Sequence, residues 1–361
     1  DVYKRQVLTA LYTIFGGMKS VLYTSVLQTP ILLLGSLIIL VLGFKELGGW
    51  DEMMRVCGAV TVNDYGDTMT NLIRSNDDAN FPWLGALIGS AIIGFWYWCT
   101  DQFIVQRVLS GKNEKEARRG TIFGAYLKLL PVFLFLIPGM IAFALHQKYI
   151  GAGGEGFLPM LANGTANADA AFPTLVAKLL PAGVKGLVVC GILAALMSSL
   201  ASLFNSSAML FTIDFYKRFR PETPEKKLVG IGQVATVVIV ILGILWIPIM
   251  RSVGDVLYTY LQDVQSVLAP GIAAAFLLGV CWKRTSAQGG MWGLISGMVI
   301  GLTRLGAKVY YSNAGEVADS TFKYLFYDMN WLFFCGWMFL FCMIVVCLLY
   351  TSPSPRDVEE S

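Results

Sequence analysis

The sequence predicts an all-α polytopic membrane protein with about eight transmembrane helices. Of its 361 residues, 56% are apolar and only 14% are charged, whereas a typical soluble domain carries about 25% charged residues. The apolar residues also fall into runs of the roughly 20 residues that cross a bilayer as a helix. The candidate spans are residues 21–43, 83–106, 121–145, 184–211, 229–249, 256–281, 288–305 and 329–350.

The two ends of the chain have a different character. The first six residues and the stretch that begins at Cys347 back-translate to overlapping, complementary strings of the kind used as transposon sequencing adapters. We therefore expect residues 1–6 and 347–361 to be translated adapter, which is excluded from fold reasoning. Residues 7–346 are expected to form one transmembrane domain that is truncated at both ends.

Basic residues indicate how the spans are oriented. They cluster in the connections after the second, fourth and sixth spans, and two spans separate each of these connections from the next. Positive charge in short loops marks the cytoplasmic side, so these connections are predicted to be cytoplasmic. We expect a multi-pass protein of the cell membrane, with lipid as a partner.

Several function classes find no support in the sequence. The spans contain no cluster of His, Cys and carboxylates, no P-loop and no nucleophile motif, which argues against an enzyme. The net charge is only +3 and the basic residues lie in short loops, so nucleic-acid binding is not expected. No arginine stands out within the spans, and the sequence predicts no particular oligomeric state.

The second span ends in the stretch GFWYWCTDQ, residues 94–102. Aromatic faces can stack on the C–H side of a sugar ring, and a tyrosine hydroxyl can form a hydrogen bond. An interfacial aromatic belt explains the same residues equally well. On a continuous helix, Tyr97 and Asp101 share one face at i, i+4 spacing, whereas Trp96 and Trp98 point elsewhere. No role is assigned to Asp101.

Lys128 lies about eight residues into the third span, which is about 12 Å at the helical rise. A lysine at that depth is costly and is a candidate for a functional residue that faces a cavity. Pro131 follows closely and leaves backbone groups unpaired, which suits a helix that lines a cavity. The alternative is a side chain that extends to the headgroups and only anchors the helix.

The fourth span carries the small and hydroxylated stretch AALMSSLASLFNSS, residues 194–207. Ala195, Ser198 and Ser199 share one helix face, and a carbonyl with two hydroxyls can supply oxygen ligands to a hard cation such as sodium. Coupling ions of secondary transporters are bound by groups of this kind. Close packing of small residues, with the hydroxyls bonded back to the preceding turn, is the slightly favoured alternative on composition alone.

The sixth span contains three polar residues, Gln262, Asp263 and Gln265, shortly before Pro270. Amide side chains can donate hydrogen bonds to a hydroxylated ligand and accept them from it. Amides that bridge neighbouring helices would give the same pattern, so both interpretations stay open.

Four segments in the same order resemble the sodium:solute symporter family, and in particular its sodium/sugar cotransporter branch. They are YTIFGGMKS (12–20), FPW with GFWYWCTDQFIVQRVLSG (81–83 and 94–111), AALMSSLASLFNSSAMLFTIDFYK (194–217) and VQSVLAPGIAAAFLLGVCWKR (264–284). The resemblance implies a five-plus-five inverted-repeat fold that works by alternating access. On that scheme 21–43 ends the first repeat, 83–281 is the second repeat, and the first four core helices are absent.

The resemblance also implies a sodium site. The carbonyl of Ala195 and the hydroxyls of Ser198 and Ser199 match the family's sodium positions. Members thought to bind a second sodium ion carry an Asp where this chain has Ser25 and a hydroxyl where it has Ala201. We therefore expect sodium to be the coupling ion, with one ion moved per substrate.

The sugar site implied by the resemblance uses residues from three spans. Tyr97 matches the tyrosine that closes the inner face of the site, and Lys128 and Gln265 match sugar-contacting positions. Trp98 is a weaker neighbouring candidate. Gly94 replaces an Asn or Thr that bonds the sugar in some relatives, which indicates a different sugar selectivity.

The leading hypothesis is therefore sodium-coupled symport of a monosaccharide or related polyol. One alternative is a sodium symporter for another small solute, such as an acidic sugar or an organic anion, which would need an arginine partner. Another is a membrane sensor that binds sugar without moving it, although such a sensor need not retain sodium ligands.

Overall fold

A computed structural model describes residues 25–26, 28–161, 164–251, 257–313 and 320–349. These ranges are helical and contain no β-strand. Residues 1–6 and most of the predicted adapter at the other end lie outside them. The α-helices are α1 Gln28–Leu47, α2 Trp50–Gly58, α3 Trp83–Phe95, α4 Gln102–Leu109, α5 Glu114–Leu127, α6 Ile137–Gly151, α7 Ala171–Leu179, α8 Ala182–Met209, α9 Lys217–Phe219, α10 Glu225–Arg251, α11 Leu257–Cys281, α12 Ala287–Asn313, α13 Thr321–Lys323 and α14 Trp331–Leu348.

Seven helical stretches within the described ranges are long and apolar enough to cross a membrane. They correspond to seven of the eight predicted spans, and the chain is a multi-pass membrane protein. The eighth predicted span, 288–305, forms most of α12, a helix of 27 residues. Its glycines and Arg304 make it less apolar than the other seven.

The described helices form two compact units. The first unit comprises the described parts of 1–60 and 106–255. In it α2 and α7 pack on α6, and α8 packs on α10. Helix α1 approaches α8 closely, because a Cβ atom added to Gly35 would lie 2.4 Å from Val188 and one added to Gly191 would lie 3.0 Å from Ile31.

The second unit comprises the described parts of 61–105 and 256–361. Helix α14 packs against α3, α11 and α12, and α11 also packs against α12. Four glycines at four-residue spacing form one face of α12, a small-residue pattern that lets membrane helices approach closely. This glycine seam consists of Gly289, Gly293, Gly297 and Gly301.

Several spans depart from regular α-helix where the sequence predicts functional residues. The 38-residue span Glu114–Gly151 is interrupted by a turn at 128–129 and a π-helix at Val132–Leu136. A second π-helix, Trp96–Thr100, follows α3, and a third, Leu210–Tyr216, follows α8. Short π-helical insertions are frequent at functional sites.

Candidate functional site

The three predicted sodium residues lie on α8 in the first unit. Ser198 is buried, Ala195 is partly buried and Ser199 is exposed. The hydroxyl oxygens of Ser198 and Ser25 are 2.6 Å apart, a distance that the close approach of α1 and α8 permits. Other hydroxyls of this segment bond back to their own helix: Ser206 donates to the Leu203 carbonyl, and Thr212 donates to that of Ala208.

The Ser25–Ser198 contact bears on the two interpretations of the serine-rich stretch. If the serines served packing alone, their hydroxyls would be expected to bond to the preceding turn of the same helix. Ser198 instead forms a hydrogen bond with the Ser25 hydroxyl, outside α8. The contact departs from the packing interpretation, and both hydroxyl oxygens are neutral groups of a type that can also ligate a cation.

Two further polar residues hold α8 one turn beyond Ser198. The Arg107 guanidinium donates to the Ser202 hydroxyl over 2.6 Å, and the buried Gln106 amide donates to the Ser202 carbonyl over 3.1 Å. The sequence interpretation did not assign a role to this pair, although both residues lie in the motif that carries Tyr97. They anchor the segment of α8 that follows the candidate sodium residues.

Lys128 lies at the interruption of its span. Helix α5 ends at Leu127, and the Lys128 backbone N–H donates to the carbonyls of Gly124 and Ala125 over 3.0 and 3.2 Å. Pro131 lacks an N–H, so it cannot continue the hydrogen-bond ladder here. Lys128 is exposed within the first unit, and a charged residue at a broken membrane helix fits a cavity lining better than a packed interior.

The aromatic stretch of the second unit forms the π-helix Trp96–Thr100. The Tyr97 and Trp98 rings meet edge to face with centroids 5.3 Å apart, and the Trp96 and Tyr97 rings are tilted with centroids 6.3 Å apart. Trp98 is exposed. Tyr97 is therefore wedged between two indoles, which fixes the direction of its ring.

Asp101 corrects the expectation that Tyr97 and Asp101 share one helix face. The backbone at Asp101 is extended, so the helix ends before it. Its carboxylate accepts the Phe103 N–H over 3.0 Å, and its carbonyl accepts the N–H groups of Ile104 and Val105 over 3.0 and 2.9 Å. Asp101 is the N-cap of α4, the position for which a short carboxylate side chain is preferred.

Gln265 is half-buried on α11, which packs against the π-helix of Tyr97. The second unit therefore brings Tyr97, Trp98 and Gln265 onto neighbouring elements. Asp263, which lies between the two glutamines, is buried and forms ion pairs with Arg304 and Lys308 of α12. Asp263 thus bridges α11 and α12, and the two interpretations of the neighbouring amides stay predictions.

The expectation that no arginine stands out within the spans is wrong. Arg304 is fully buried, with 0% of its surface exposed. The available signal was an arginine near the end of the predicted span 288–305. The glycines near Arg304 lower the mean hydropathy of the whole helix, so the arginine contrasts less with its neighbours in sequence.

The family model of the sodium:solute symporter family matches residues 2–297. The chain belongs to this family. It is 37% identical over 369 residues to the mouse sodium/glucose cotransporter 4, covering 97% of this chain and 53% of that protein. It is 39% identical over 309 residues to the human sodium/myo-inositol cotransporter 2, covering 82% and 46%. It is 36% identical over 364 residues to a bovine sodium/mannose cotransporter, covering 98% and 61%.

The symporter chain spans about half the length of the relatives it matches, and these relatives are named as transporters and not as enzymes. Its fold is also that of a solved structure, a substrate-bound outward-open Na+-coupled sialic acid symporter. The TM-score is 0.70 at 21% identity, over 97% of this chain and 66% of that one. The predicted family and helical membrane fold are confirmed.

Proposed function

We propose that the protein carries out sodium-coupled symport of a monosaccharide or related polyol by alternating access. Family membership and relatives named for glucose, myo-inositol and mannose support this proposal. The observation that carries it is the part-buried hydrogen bond between the hydroxyls of Ser25 and Ser198, beside Ser199 on the predicted sodium face of α8.

Sodium is a cargo ion in this mechanism. The Ala195 carbonyl and the Ser198 and Ser199 hydroxyls are neutral oxygen donors, which suit a monovalent hard cation that must bind and leave in each cycle. The Ser25 hydroxyl forms a hydrogen bond with that of Ser198. All four residues belong to the first unit.

The substrate is held by groups that recognise hydroxylated rings. The Tyr97 ring offers an apolar face and a hydroxyl, with Trp98 packed edge-on behind it, and the Gln265 amide can both donate and accept hydrogen bonds. Lys128 supplies an ammonium donor at the break in its span. These four residues are the proposed substrate-binding residues.

Replacement of Ser199 by Ala tests the sodium assignment. It removes one oxygen donor, and a contact to a charged partner contributes about 1.5–3 kcal/mol. The half-saturating sodium concentration for uptake should therefore rise by about tenfold or more. Ser206→Ala is the matched control, because Ser206 lies on the same helix but donates to its own Leu203 carbonyl. Unchanged sodium activation in Ser199→Ala, at normal expression, would refute the assignment.

One sodium ion should accompany each substrate molecule. The chain has Ser25 and Ala201 where family members thought to bind a second ion carry an acid and a hydroxyl, so a second site lacks its charged ligand. Parallel measurement of labelled sodium and labelled sugar uptake by the full-length protein gives the flux ratio. A ratio of two to one would overturn this part of the proposal.

Symport of an acidic sugar is a second candidate, and the buried Arg304 is the observation that favours it. Its guanidinium could pair with a substrate carboxylate, but Asp263 already lies 3.5 Å from it. Competition of uptake by glucose, myo-inositol and mannose, compared with gluconate and sialate, separates the two candidates.

A further inference from the structure

Charged side chains bridge α11 and α12 at one end of their contact. Lys308 donates a hydrogen bond to one carboxylate oxygen of Asp263, and Arg304 lies 3.5 Å from the other. Arg304 also donates to the Met329 carbonyl over 2.8 Å and covers the Phe334 ring with its guanidinium carbon 4.0 Å from the centroid. We call Asp263, Arg304 and Lys308 the charged cluster.

The charges of the charged cluster do not balance, which is unfavourable for a group that serves only to stabilise the fold. Two cations face one carboxylate, and the side chains of Arg304 and Asp263 are 0% and 12% exposed. Within the described residues, the Arg304 Nε and Nη1 atoms have no hydrogen-bond acceptor. Buried charges are costly unless they are fully paired and hydrogen-bonded, and apolar replacements are often as stable. Another role must account for their presence.

The half of α11 that precedes Pro270 needs support from outside its own helix. Pro270 lies inside α11 and has no N–H, so it cannot donate to the Ser266 carbonyl one turn earlier. After the proline, Ala273 and Ala274 are fully buried in the apolar core of the second unit. Before it, Val267 is buried against Gly301 of α12, but Leu261 and Leu268 are exposed, and the charged cluster ties the first turns of α11 to α12.

The supported half of α11 also carries the candidate substrate amides. Asp263 is adjacent to Gln262 and two residues from Gln265, so one helical turn holds all three. We propose that the charged cluster positions this turn, so that Arg304 and Lys308, acting through Asp263, set the direction of the amides toward the substrate. The inference rests on the proposed sugar transport for its effect on affinity, but the tethering of α11 stands apart from it.

Lys308→Met in the full-length protein is the central variant. It leaves the Asp263–Arg304 pair, which is electrically neutral, and removes one tether of α11. The apparent KM for sugar should rise by roughly tenfold, within the range of coupling between contacting residues. The half-saturating sodium concentration should not change, because the sodium residues lie on α8. Lys308→Arg should restore the KM, since it keeps the charge and the donor.

Lys283→Met is the matched control, because Lys283 is an exposed lysine just beyond the other end of α11. It should leave both constants unchanged. A Lys308→Met protein with lowered expression or melting temperature but an unaltered KM would mean that the cluster is only structural, and would overturn the proposal.

Amide hydrogen exchange separates this proposal from the proposed function. Residues 257–268 should exchange faster in Lys308→Met than in the parent or in Lys283→Met, whether or not the protein transports sugar. A parent that takes up no sugar would count against the proposed function. Equal exchange in all three proteins would overturn the positioning role.

Discussion

Two adjacent stretches of the α11–α12 contact are held together by opposite means. At the glycine seam the backbones touch: a Cβ atom added to Gly297 would lie 3.1 Å from the Gly271 Cα, and one added to Gly301 would lie 2.5 Å from Val267 Cγ1. One turn further along α12 the charged cluster begins, where long side chains reach across and part of their hydrogen-bonding capacity is unused within the described residues.

The difference teaches which stretch supplies stability and which supplies direction. Van der Waals packing of small residues, which lets two backbones approach closely, drives helix association in lipid. Burying an ion pair costs desolvation free energy, but the pair forms only when particular atoms meet, so it specifies one orientation. Gly297 and Gly301 of the seam therefore hold α12 to α11, whereas Gly289 and Gly293 approach α14. The charged cluster fixes how the first turns of α11 are oriented.

Removal of the carboxylate should have the largest effect. Asp263→Leu leaves Arg304 and Lys308 as two neighbouring cations, and breaking a buried pair costs about 3–5 kcal/mol. The lower end of that range is expected because the Lys308 side chain is 33% exposed. The measurement is the thermal unfolding midpoint of purified protein in detergent, which should fall well below that of the parent.

The matched variant replaces all three charges, with Asp263→Leu, Arg304→Met and Lys308→Met together. Because no charge is left unpaired, its stability should return to that of the parent or exceed it by up to about 4 kcal/mol. The KM of the triple variant for sugar should remain higher than that of the parent. A triple variant as unstable as the single one would mean that the charged cluster contributes stability, contrary to the comparison.

A methyl group in the glycine seam should have the next largest effect. Gly301→Ala places its Cβ 2.5 Å from Val267 Cγ1 and 2.8 Å from the Val267 carbonyl oxygen, and overpacking of this kind costs about 1–3 kcal/mol. Gly306→Ala on the same helix is the control, since nothing lies within 4 Å of its added Cβ. That variant should be neutral or gain up to about 1 kcal/mol from helix propensity. Equal midpoints for the two variants would contradict a close-packed seam.

Much of this architecture could be predicted from sequence because each signal is local. Apolar runs gave seven membrane-length helices, and the ordered motifs identified the family. The serine spacing on α8 put Ser198 on the face that meets Ser25. Pro131 predicted unpaired backbone groups near Lys128, and the span is interrupted there by the turn at 128–129 and the following π-helix.

The features that escaped prediction depend on partners distant in sequence or on backbone changes. The charged cluster needs Asp263 to meet residues more than 40 positions away, which neither periodicity nor composition reveals. The prediction put Asp101 on the helix face of Tyr97 because it assumed a continuous α-helix. The π-helix and the break that follows it change the register, so Asp101 lies beyond the end of that helix. The roles of Tyr97, Trp98, Lys128 and Gln265 stay predictions until substrate binding is measured.

Asp78 gives a reference for a well-satisfied carboxylate in the same unit. It is buried in the connection before α3 and accepts hydrogen bonds from the N–H groups of Asn80 and Phe81, over 2.9 and 2.7 Å, and from the Asn63 amide over 3.1 Å. Arg74 lies 3.5 Å away. Unlike Asp263, this carboxylate is neutralised chiefly by fixed backbone dipoles, so its loss should matter less.

The smallest expected effect is that of Asp78→Asn, at about 1 kcal/mol, because the amide oxygen still accepts from the backbone. Burial acts to raise the pKa of Asp78, but the N–H groups of Phe81 and Asn80, the Asn63 amide and Arg74 outweigh it, so the pKa lies below its usual range. A carboxyl with a lowered folded-state pKa contributes stability above its unfolded pKa of about 3.9. That contribution is lost as the pH falls below about 4. The unfolding midpoints of parent and variant should therefore differ by a constant amount from pH 7 to about pH 5 and converge toward pH 3. A difference that instead grows in acid would show that burial, and not hydrogen bonding, controls this carboxylate.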